Sequence, residues 1–112
     1  MEHVMFIQRI KDGKRDQYIK DHEECWPELM DALRKSGIKR NIIWLYGNEI
    51  LNYTMAKDFN KSMNELSGKM VFKNWIKRMK PLLEVIQDFS GEGNVIKLEK
   101  VFDLEEQIKS VE

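Results

Sequence analysis

Arg40-Asn-Ile-Ile-Trp-Leu-Tyr46 and Glu49-Ile-Leu-Asn-Tyr-Thr-Met-Ala-Lys57 flank the dipeptide Gly47-Asn48. Two apolar runs around a two-residue turn of this kind predict an antiparallel β-hairpin. In the first strand Ile43 and Leu45 point to one side, and Ile42, Trp44 and Tyr46 point to the other. Both faces are therefore largely apolar, whereas helices cover only one face of a small antiparallel sheet. We expect the other face to pack on a second copy of the chain as a homodimer.

The segments around the hairpin predict the remaining elements of a single domain, residues 1–112. Residues 3–10 are predicted as a strand, 14–36 as a long helix broken at Pro27, and 58–67 and 68–79 as helices. Residues 89–94 are predicted as a loop, 95–102 as the last strand and 104–112 as a charged tail. This order is typical of the α+β, ferredoxin-like split βαβ arrangement. It predicts an antiparallel sheet with helices on one face, a pocket between the two layers, and a dimeric α/β barrel formed by stacked sheets.

The composition narrows the classes of partner. Nineteen basic and nineteen acidic residues give a formal net charge of zero. The sequence has no basic arm of the kind that binds nucleic acid. A single cysteine fits a reducing compartment. The sequence lacks a run of about 18 apolar residues, which a membrane-spanning helix would need. The first seven residues also lack the basic and apolar regions of a signal peptide. We therefore expect a cytoplasmic protein that binds neither nucleic acid nor membrane.

The long helix carries the best candidate for chemistry. Tyr18 and His22 are four residues apart and lie on one helix face, and Pro27 leaves His22 in the last turn before the break. A histidine with an ordinary pKa of about 6.5 exchanges protons readily at neutral pH. The neighbouring Asp21, Glu23 and Glu24 are expected to raise that pKa. The alternative is a helix-surface histidine with no catalytic role.

Other candidate groups indicate less. Aromatic residues with a polar edge can stack on sugar rings. The sequence has six candidates of this kind, most of which are expected to pack in the core: Tyr18, Trp26, Trp44, Tyr46, Tyr53 and Trp75. His22 and Cys25 at positions i and i+3 are too few ligands for a closed metal site. Nothing marks Cys25 as a nucleophile, and the glycines predict turns instead of a phosphate loop. The residues alone thus predict neither a metal nor a cofactor.

Motifs spread from about residue 4 to residue 103 resemble the L-rhamnose mutarotase family. They are Phe6-Ile-Gln, Tyr18-x-x-x-His22, Trp26-Pro27-Glu28-Leu29, Gly37, Ile43-Trp44-Leu45, Trp75-x-Lys77-x-Met79 and Glu99-x-Val101-Phe102. The resemblance implies a dimeric α+β barrel that interconverts the anomers of a 6-deoxy-L-sugar without cofactor or metal. It implies that His22 is the proton donor and that Tyr18 contacts the sugar.

Two positions depart from the family pattern. Asn41 replaces a sugar-contacting tyrosine, and Trp75-Ile76 stands where the family has two tryptophans. Together with Trp26, these residues are the predicted walls of the sugar site. Asparagine retains hydrogen bonds but has less reach than tyrosine, so the sugar is either L-rhamnose or L-fucose.

Three questions stay open at this stage. The base that assists His22 is Tyr18, a carboxylate such as Glu28, or water. One alternative function is that of a small dimeric-barrel monooxygenase acting on haem or an aromatic substrate, which rests on fold analogy. A second alternative is a non-catalytic module that binds a small ligand.

Overall fold

The computed structural model describes residues 1–85 and 97–111. The elements in chain order are β1 Glu2–Ile10, α1 Arg15–Glu23, α2 Pro27–Lys35, β2 Ile38–Tyr46, β3 Glu49–Ala56, α3 Phe59–Ser67, α4 Met70–Met79, a 3₁₀ turn at Lys80–Leu82, β4 Leu83–Val85 and α5 Leu104–Val111. No helix within the described ranges combines the length and the apolarity needed to span a membrane. The extent of the domain predicted for residues 1–112 stays a prediction.

Four strands form one antiparallel sheet in the order β2-β3-β1-β4. Because β3 pairs antiparallel with both β1 and β2, those two strands run parallel with β3 between them. This is the split βαβ arrangement, and it confirms the predicted α+β, ferredoxin-like fold. The hairpin turns at Gly47, whose φ of 60° lies in the left-handed region that glycine adopts without steric cost.

The two faces of the sheet have different environments. Ile10 and Ile50 on the inward face are fully buried in the core that they share with residues of α1, α2, α3 and α4. Trp44 and Tyr46 on the outward face are 54% and 82% exposed. The predicted alternation of side chains in this strand is confirmed, and helices α1 to α4 pack on the inward face.

The long predicted helix is two helices, and Pro27 begins the second one. Proline is favoured at the first helical position because the N–H that it lacks has no partner there in any helix. Trp26 precedes it with extended backbone, φ −65° and ψ 129°, and so turns the chain between α1 and α2. After α2, Gly37 takes a φ of +99°, and a Cβ at this position would lie 2.8 Å from the Ser62 Oγ.

The predicted last strand requires a correction. Residues 86–96 lie outside the described ranges, and with them the predicted loop and the first two residues of the strand. Lys97 forms one isolated bridge with Phe6, and residues 98–102 are not a strand. The edge of β1 at Arg9 and Ile10 is already occupied by β4, an element that the sequence analysis did not predict.

The residues predicted as a charged tail contain one more helix. Leu104–Val111 form α5, and no described side chain of this helix is buried. The Asp103 carboxylate accepts hydrogen bonds from the backbone N–H groups of Glu105 and Glu106, which caps the helix.

Candidate active site

A cavity of about 120 Å³ lies between the inward face of the sheet and the helices. Its lining combines aliphatic core residues with a smaller set of polar and aromatic side chains. The members used below are Gln8, Tyr18, His22, Cys25, Asn41, Asn52, Thr54, Trp75 and Ile76. A concave, mainly apolar cavity with a few converging polar groups is the usual form of a small-molecule site.

The imidazole of His22 has a fixed orientation in this cavity. Its Nδ1 lies 2.8 Å from the backbone carbonyl oxygen of Tyr18, one helical turn earlier in α1. A carbonyl oxygen only accepts hydrogen bonds, so Nδ1 carries the proton and donates it. The other ring nitrogen, Nε2, is then unprotonated in the neutral ring and has a lone pair available for a ligand.

Aromatic rings hold His22 from two sides. The Tyr18 ring lies 4.2 Å from the imidazole, and the Trp75 indole meets it edge-on at 5.2 Å and 83°. Trp26 in turn packs edge-on against Trp75 at 5.1 Å. We call Tyr18, His22 and Trp75 the helix wall, because α1 and α4 supply these side chains.

The pKa of His22 is lowered from the ordinary value of 6.5. Burial is the larger cause, since desolvation disfavours the charged ring. The bond to the Tyr18 carbonyl and the charge of Asp21 act in the opposite direction but are outweighed. The expected raising effect of a neighbouring carboxylate is thus present for Asp21, but burial outweighs it, so the net shift is downward and the imidazole is mainly neutral at pH 7.

Asp21 is buried and is neutralised by partners of its own. Its Oδ1 accepts hydrogen bonds from the Arg78 guanidinium at 2.8 Å and from the Gln17 side-chain amide at 2.7 Å. Burial opposes ionisation of Asp21, but the hydrogen bonds from Arg78 and Gln17 together hold its pKa below the ordinary value. The ion pair joins α1 to α4 and so connects the helices that carry His22 and Trp75.

Among the described lining residues, only His22 titrates near neutral pH. Burial raises the pKa of the Tyr18 phenol far above its ordinary value and also raises that of the Cys25 thiol, so both remain protonated. Glu28 is exposed and does not line the cavity, and no other carboxylate of the described residues does. Within the described ranges, no group of three or more histidine, cysteine or acidic side chains is placed to hold a metal ion.

The opposite side of the cavity is formed by strands and is uncharged. We call its polar residues Gln8, Asn41, Asn52 and Thr54 the sheet floor. The Asn41 Nδ2 donates to Asn52 Oδ1 at 2.7 Å and to Thr54 Oγ1 at 3.1 Å. Thr54 Oγ1 donates to the same Asn52 oxygen at 3.1 Å. Asn41 is exposed, so the cavity is open to solvent at this position.

The predicted sugar-site residues are mostly brought together. His22, Tyr18, Asn41, Trp75 and Ile76 line the cavity. Trp26 does not belong to the lining and lies behind Trp75. The roles assigned to these residues stay predictions.

Gln8, Asn52 and Thr54 were missed by the sequence analysis. A usable signal was the alternation of β1, which places Gln8 on the same face as the buried Phe6 and Ile10. The register adds Asn52 opposite Phe6 and Thr54 opposite Asn41 on that face.

The sequence comparisons with known proteins agree on one family. The family model described as L-rhamnose mutarotase matches residues 3–104. An L-rhamnose mutarotase from Burkholderia ambifaria is 32% identical over 108 residues, which cover 94% of this chain and 100% of the relative. One from Oceanobacillus iheyensis is 30% identical over 92 residues, covering 80% of this chain and 88% of the relative.

Solved structures share the fold. The crystal structure of an L-rhamnose mutarotase from Formosa agariphila aligns with a TM-score of 0.73 at 20% identity, covering 93% of this chain and 99% of that one. Tetracenomycin F2 cyclase from Streptomyces glaucescens aligns with a TM-score of 0.58 at 13% identity, covering 92% and 96%. One sheet architecture thus occurs in proteins with different reactions.

Proposed function

The chain belongs to the L-rhamnose mutarotase family, and we propose from this premise that it interconverts the α and β anomers of a 6-deoxy-L-sugar in the cavity around His22. The observation that carries the assignment to this site is a neutral imidazole, fixed through Nδ1, whose Nε2 is available to a ligand. Mutarotation needs the transfer of one proton between two oxygens and no redox step. A single histidine of this kind is sufficient for that chemistry.

The proposed reaction is a proton shuttle at C1 of the sugar. Nε2 of His22 takes the proton of the anomeric hydroxyl, and the resulting imidazolium donates it to the ring oxygen as the bond from C1 to that oxygen breaks. Both oxygens are bonded to C1, so one nitrogen reaches each of them in turn. Rotation of the open-chain aldehyde and the reverse transfer then close the ring as the other anomer. His22 is thus the proton donor for ring opening and is neutral again after each transfer.

This route needs no second ionised group. The raised pKa of Tyr18 leaves its phenol protonated, which suits a hydrogen-bond donor to the sugar and not a base. Glu28, another candidate from the sequence, is exposed and outside the lining. Of the three candidates for a separate base, water alone is compatible with this arrangement, and in the proposed shuttle the neutral His22 itself takes the proton.

Family membership favours mutarotation over the two alternatives, a monooxygenase and a non-catalytic binding module. For the sugar, the names of the relatives favour L-rhamnose. Asn41 and Ile76, which depart from the family pattern, leave L-fucose as the second candidate.

The function is tested by measuring anomer exchange with NMR saturation transfer on L-rhamnose and L-fucose. We expect the wild-type protein to accelerate exchange of at least one sugar and His22→Gln to reduce the acceleration by about 10²- to 10⁴-fold, the usual contribution of a general acid–base group. The matched control is His3→Gln, which alters the exposed histidine on the outward face of β1.

Two results would contradict this proposal. Equal acceleration by wild type and His22→Gln would remove His22 from the reaction. Binding of both sugars without any acceleration by wild type would favour the binding module instead.

The outward face of the sheet supports a homodimer. It exposes Ile7, Trp44 and Tyr46, and large apolar groups exposed together are typical of an interface. We expect wild type to sediment as a dimer and Trp44→Lys, which places a charge on this face, to shift the mass toward the monomer. Sedimentation velocity at several concentrations checks this, and a monomeric wild type would exclude the interface.

We also propose a cytoplasmic location. Cys25 is the only cysteine of the sequence, so the chain forms no internal disulfide and suits a reducing compartment. Cell fractionation with a specific antibody checks the compartment.

A further inference from the structure

Gln8 is a buried residue whose carboxamide has no hydrogen-bond partner among the described residues and remains accessible from the cavity. It is 7% exposed, lines the cavity, and its carboxamide makes no side-chain hydrogen bond to the residues that the structure describes. An amide that the protein does not satisfy is usually hydrogen-bonded by water or by a ligand. The Gln8 carboxamide faces a cavity that admits a ligand, so a ligand can supply the missing hydrogen bonds.

Asn52 provides a second free group on the sheet floor. Its Oδ1 accepts from both Asn41 Nδ2 and Thr54 Oγ1, which fixes the orientation of the amide. The Nδ2 is the remaining end and has no hydrogen-bond partner among the described residues. Asn41 thus acts as a positioning residue for Asn52, because its own Nδ2 is already committed to three acceptors in β3.

The two layers of the fold place these amides opposite the reacting end of a sugar. His22 enters the cavity from the helix layer, and Gln8 and Asn52 enter from the sheet layer. In a pyranose ring, C3 and C4 lie across from the ring oxygen and C1. A sugar with C1 and its ring oxygen at His22 therefore presents its C3 and C4 hydroxyls to the sheet floor.

We propose that Gln8, together with Asn52, determines substrate specificity by hydrogen-bonding the C3 and C4 hydroxyls of the bound aldose. This inference rests on the proposed mutarotase function. A carboxamide both donates and accepts, as a hydroxyl does, so each pair satisfies both groups. Inversion at C4 moves that hydroxyl between the equatorial and the axial position and breaks the pairing, whereas inversion at C2 leaves it in place.

The test compares two epimer pairs that share L-rhamnose. 6-Deoxy-L-talose differs from L-rhamnose only at C4, and 6-deoxy-L-glucose differs from it only at C2. For wild type we expect kcat/KM for anomer exchange to differ by about tenfold or more within the C4 pair, because the disfavoured epimer leaves a buried amide unpaired. In Gln8→Met, which keeps the length of the side chain but removes the amide, the C4 ratio should fall to within about twofold of unity.

The controls separate recognition from folding and from chemistry. The C2 ratio should change less than about twofold in Gln8→Met, since that hydroxyl does not face the amide. Gln107→Met makes the same chemical change on the exposed helix α5 and should keep both ratios. If Gln8→Met does not fold by circular dichroism, Asn52→Leu is measured in the same way, with the same fall of the C4 ratio expected.

The possible failures are distinguishable. If the wild-type protein accelerates anomer exchange of none of these three sugars and not of L-fucose, the proposed function itself is refuted. Acceleration of both C4 epimers at equal rates, or a C4 ratio that persists in the folded variant, would overturn the role of Gln8 and leave the mutarotase function standing.

Discussion

The helix wall and the sheet floor enclose the same cavity but differ in how their polar atoms are used. In the helix wall the His22 Nδ1 is committed to a backbone carbonyl and its ring is held by Tyr18 and Trp75. The sheet floor consists of uncharged groups: Asn41, Asn52 and Thr54 hydrogen-bond one another, and Gln8 makes no side-chain hydrogen bond to the described residues. One side therefore presents a single group of defined protonation, and the other presents several uncharged hydrogen-bonding groups.

The difference matches two separate requirements of a sugar isomerase. Proton transfer depends on the position and the pKa of one nitrogen. The Nδ1 hydrogen bond and the aromatic contacts hold the ring in position, and burial lowers its pKa. Recognition of hydroxyls depends on donors and acceptors that have no other partner, which the sheet supplies through the alternation of its strands.

Substitution of Trp75 would break the helix wall and has the largest expected effect in this comparison. Trp75 is buried and contacts both His22 and Trp26, so Trp75→Ala should lower the free energy of unfolding by about 3–5 kcal/mol. Acceleration of anomer exchange should also fall, because the imidazole loses one of its two ring contacts. Urea unfolding and NMR saturation transfer measure the two effects.

Trp26→Ala is the matched variant for Trp75→Ala. Trp26 packs behind Trp75 and lies outside the cavity lining, so its loss should lower stability but leave KM within about twofold of wild type. A large rise of KM in this variant would place Trp26 in the sugar site, as the sequence analysis predicted.

The pH dependence of the rate sharpens the comparison, with a smaller expected effect than the Trp75 substitution. Among the described cavity residues, only His22 of the helix wall titrates near neutral pH. Burial keeps the pKa of His22 below 6.5, and the shuttle starts from the neutral ring. The enzymatic rate, corrected for spontaneous mutarotation, should be level at neutral pH and fall as the pH drops through this lowered pKa. The fall should approach about tenfold per pH unit. Removing the charge of Asp21, which raises the pKa of His22, should move the fall to lower pH in Asp21→Asn.

An enzymatic rate that increases on acidification would contradict this picture. It would identify the imidazolium as the starting form and require a separate base. Rate profiles between pH 4 and pH 8, about the titration range of a histidine with a lowered pKa, discriminate between the two forms.

Local pattern was sufficient to predict most of the fold. The Gly47-Asn48 turn, the alternation of β2 and the break at Pro27 each depend on residues close in sequence. The pairing of Tyr18 with His22 was predictable for the same reason, since one helical turn separates them. Contact between His22 and Trp75 was not, because it depends on how α4 packs against α1.

The failures also have physical reasons. β4 has three residues, too few for alternation to distinguish it from the end of a helix, and it pairs with β1 where the sequence analysis predicted no strand. The direction of the His22 pKa shift depends on burial, which neighbouring residues in the sequence do not reveal. Gln8 was overlooked because the sequence does not show whether a single polar residue in a strand lines a cavity. That depends on how the helices pack over the sheet.

The ion pair between Asp21 and Arg78 extends the active site beyond its lining. These residues are 57 positions apart, and Arg78 leaves about half of its side chain in solvent. A substitution at Arg78 would therefore look like a harmless surface change, yet it would leave the buried Asp21 carboxylate, adjacent to His22, without its counter-charge. Substitutions should be tolerated at most exposed positions of the helices but not at Arg78. The buried Asp21 therefore restricts which residue can occupy this surface position.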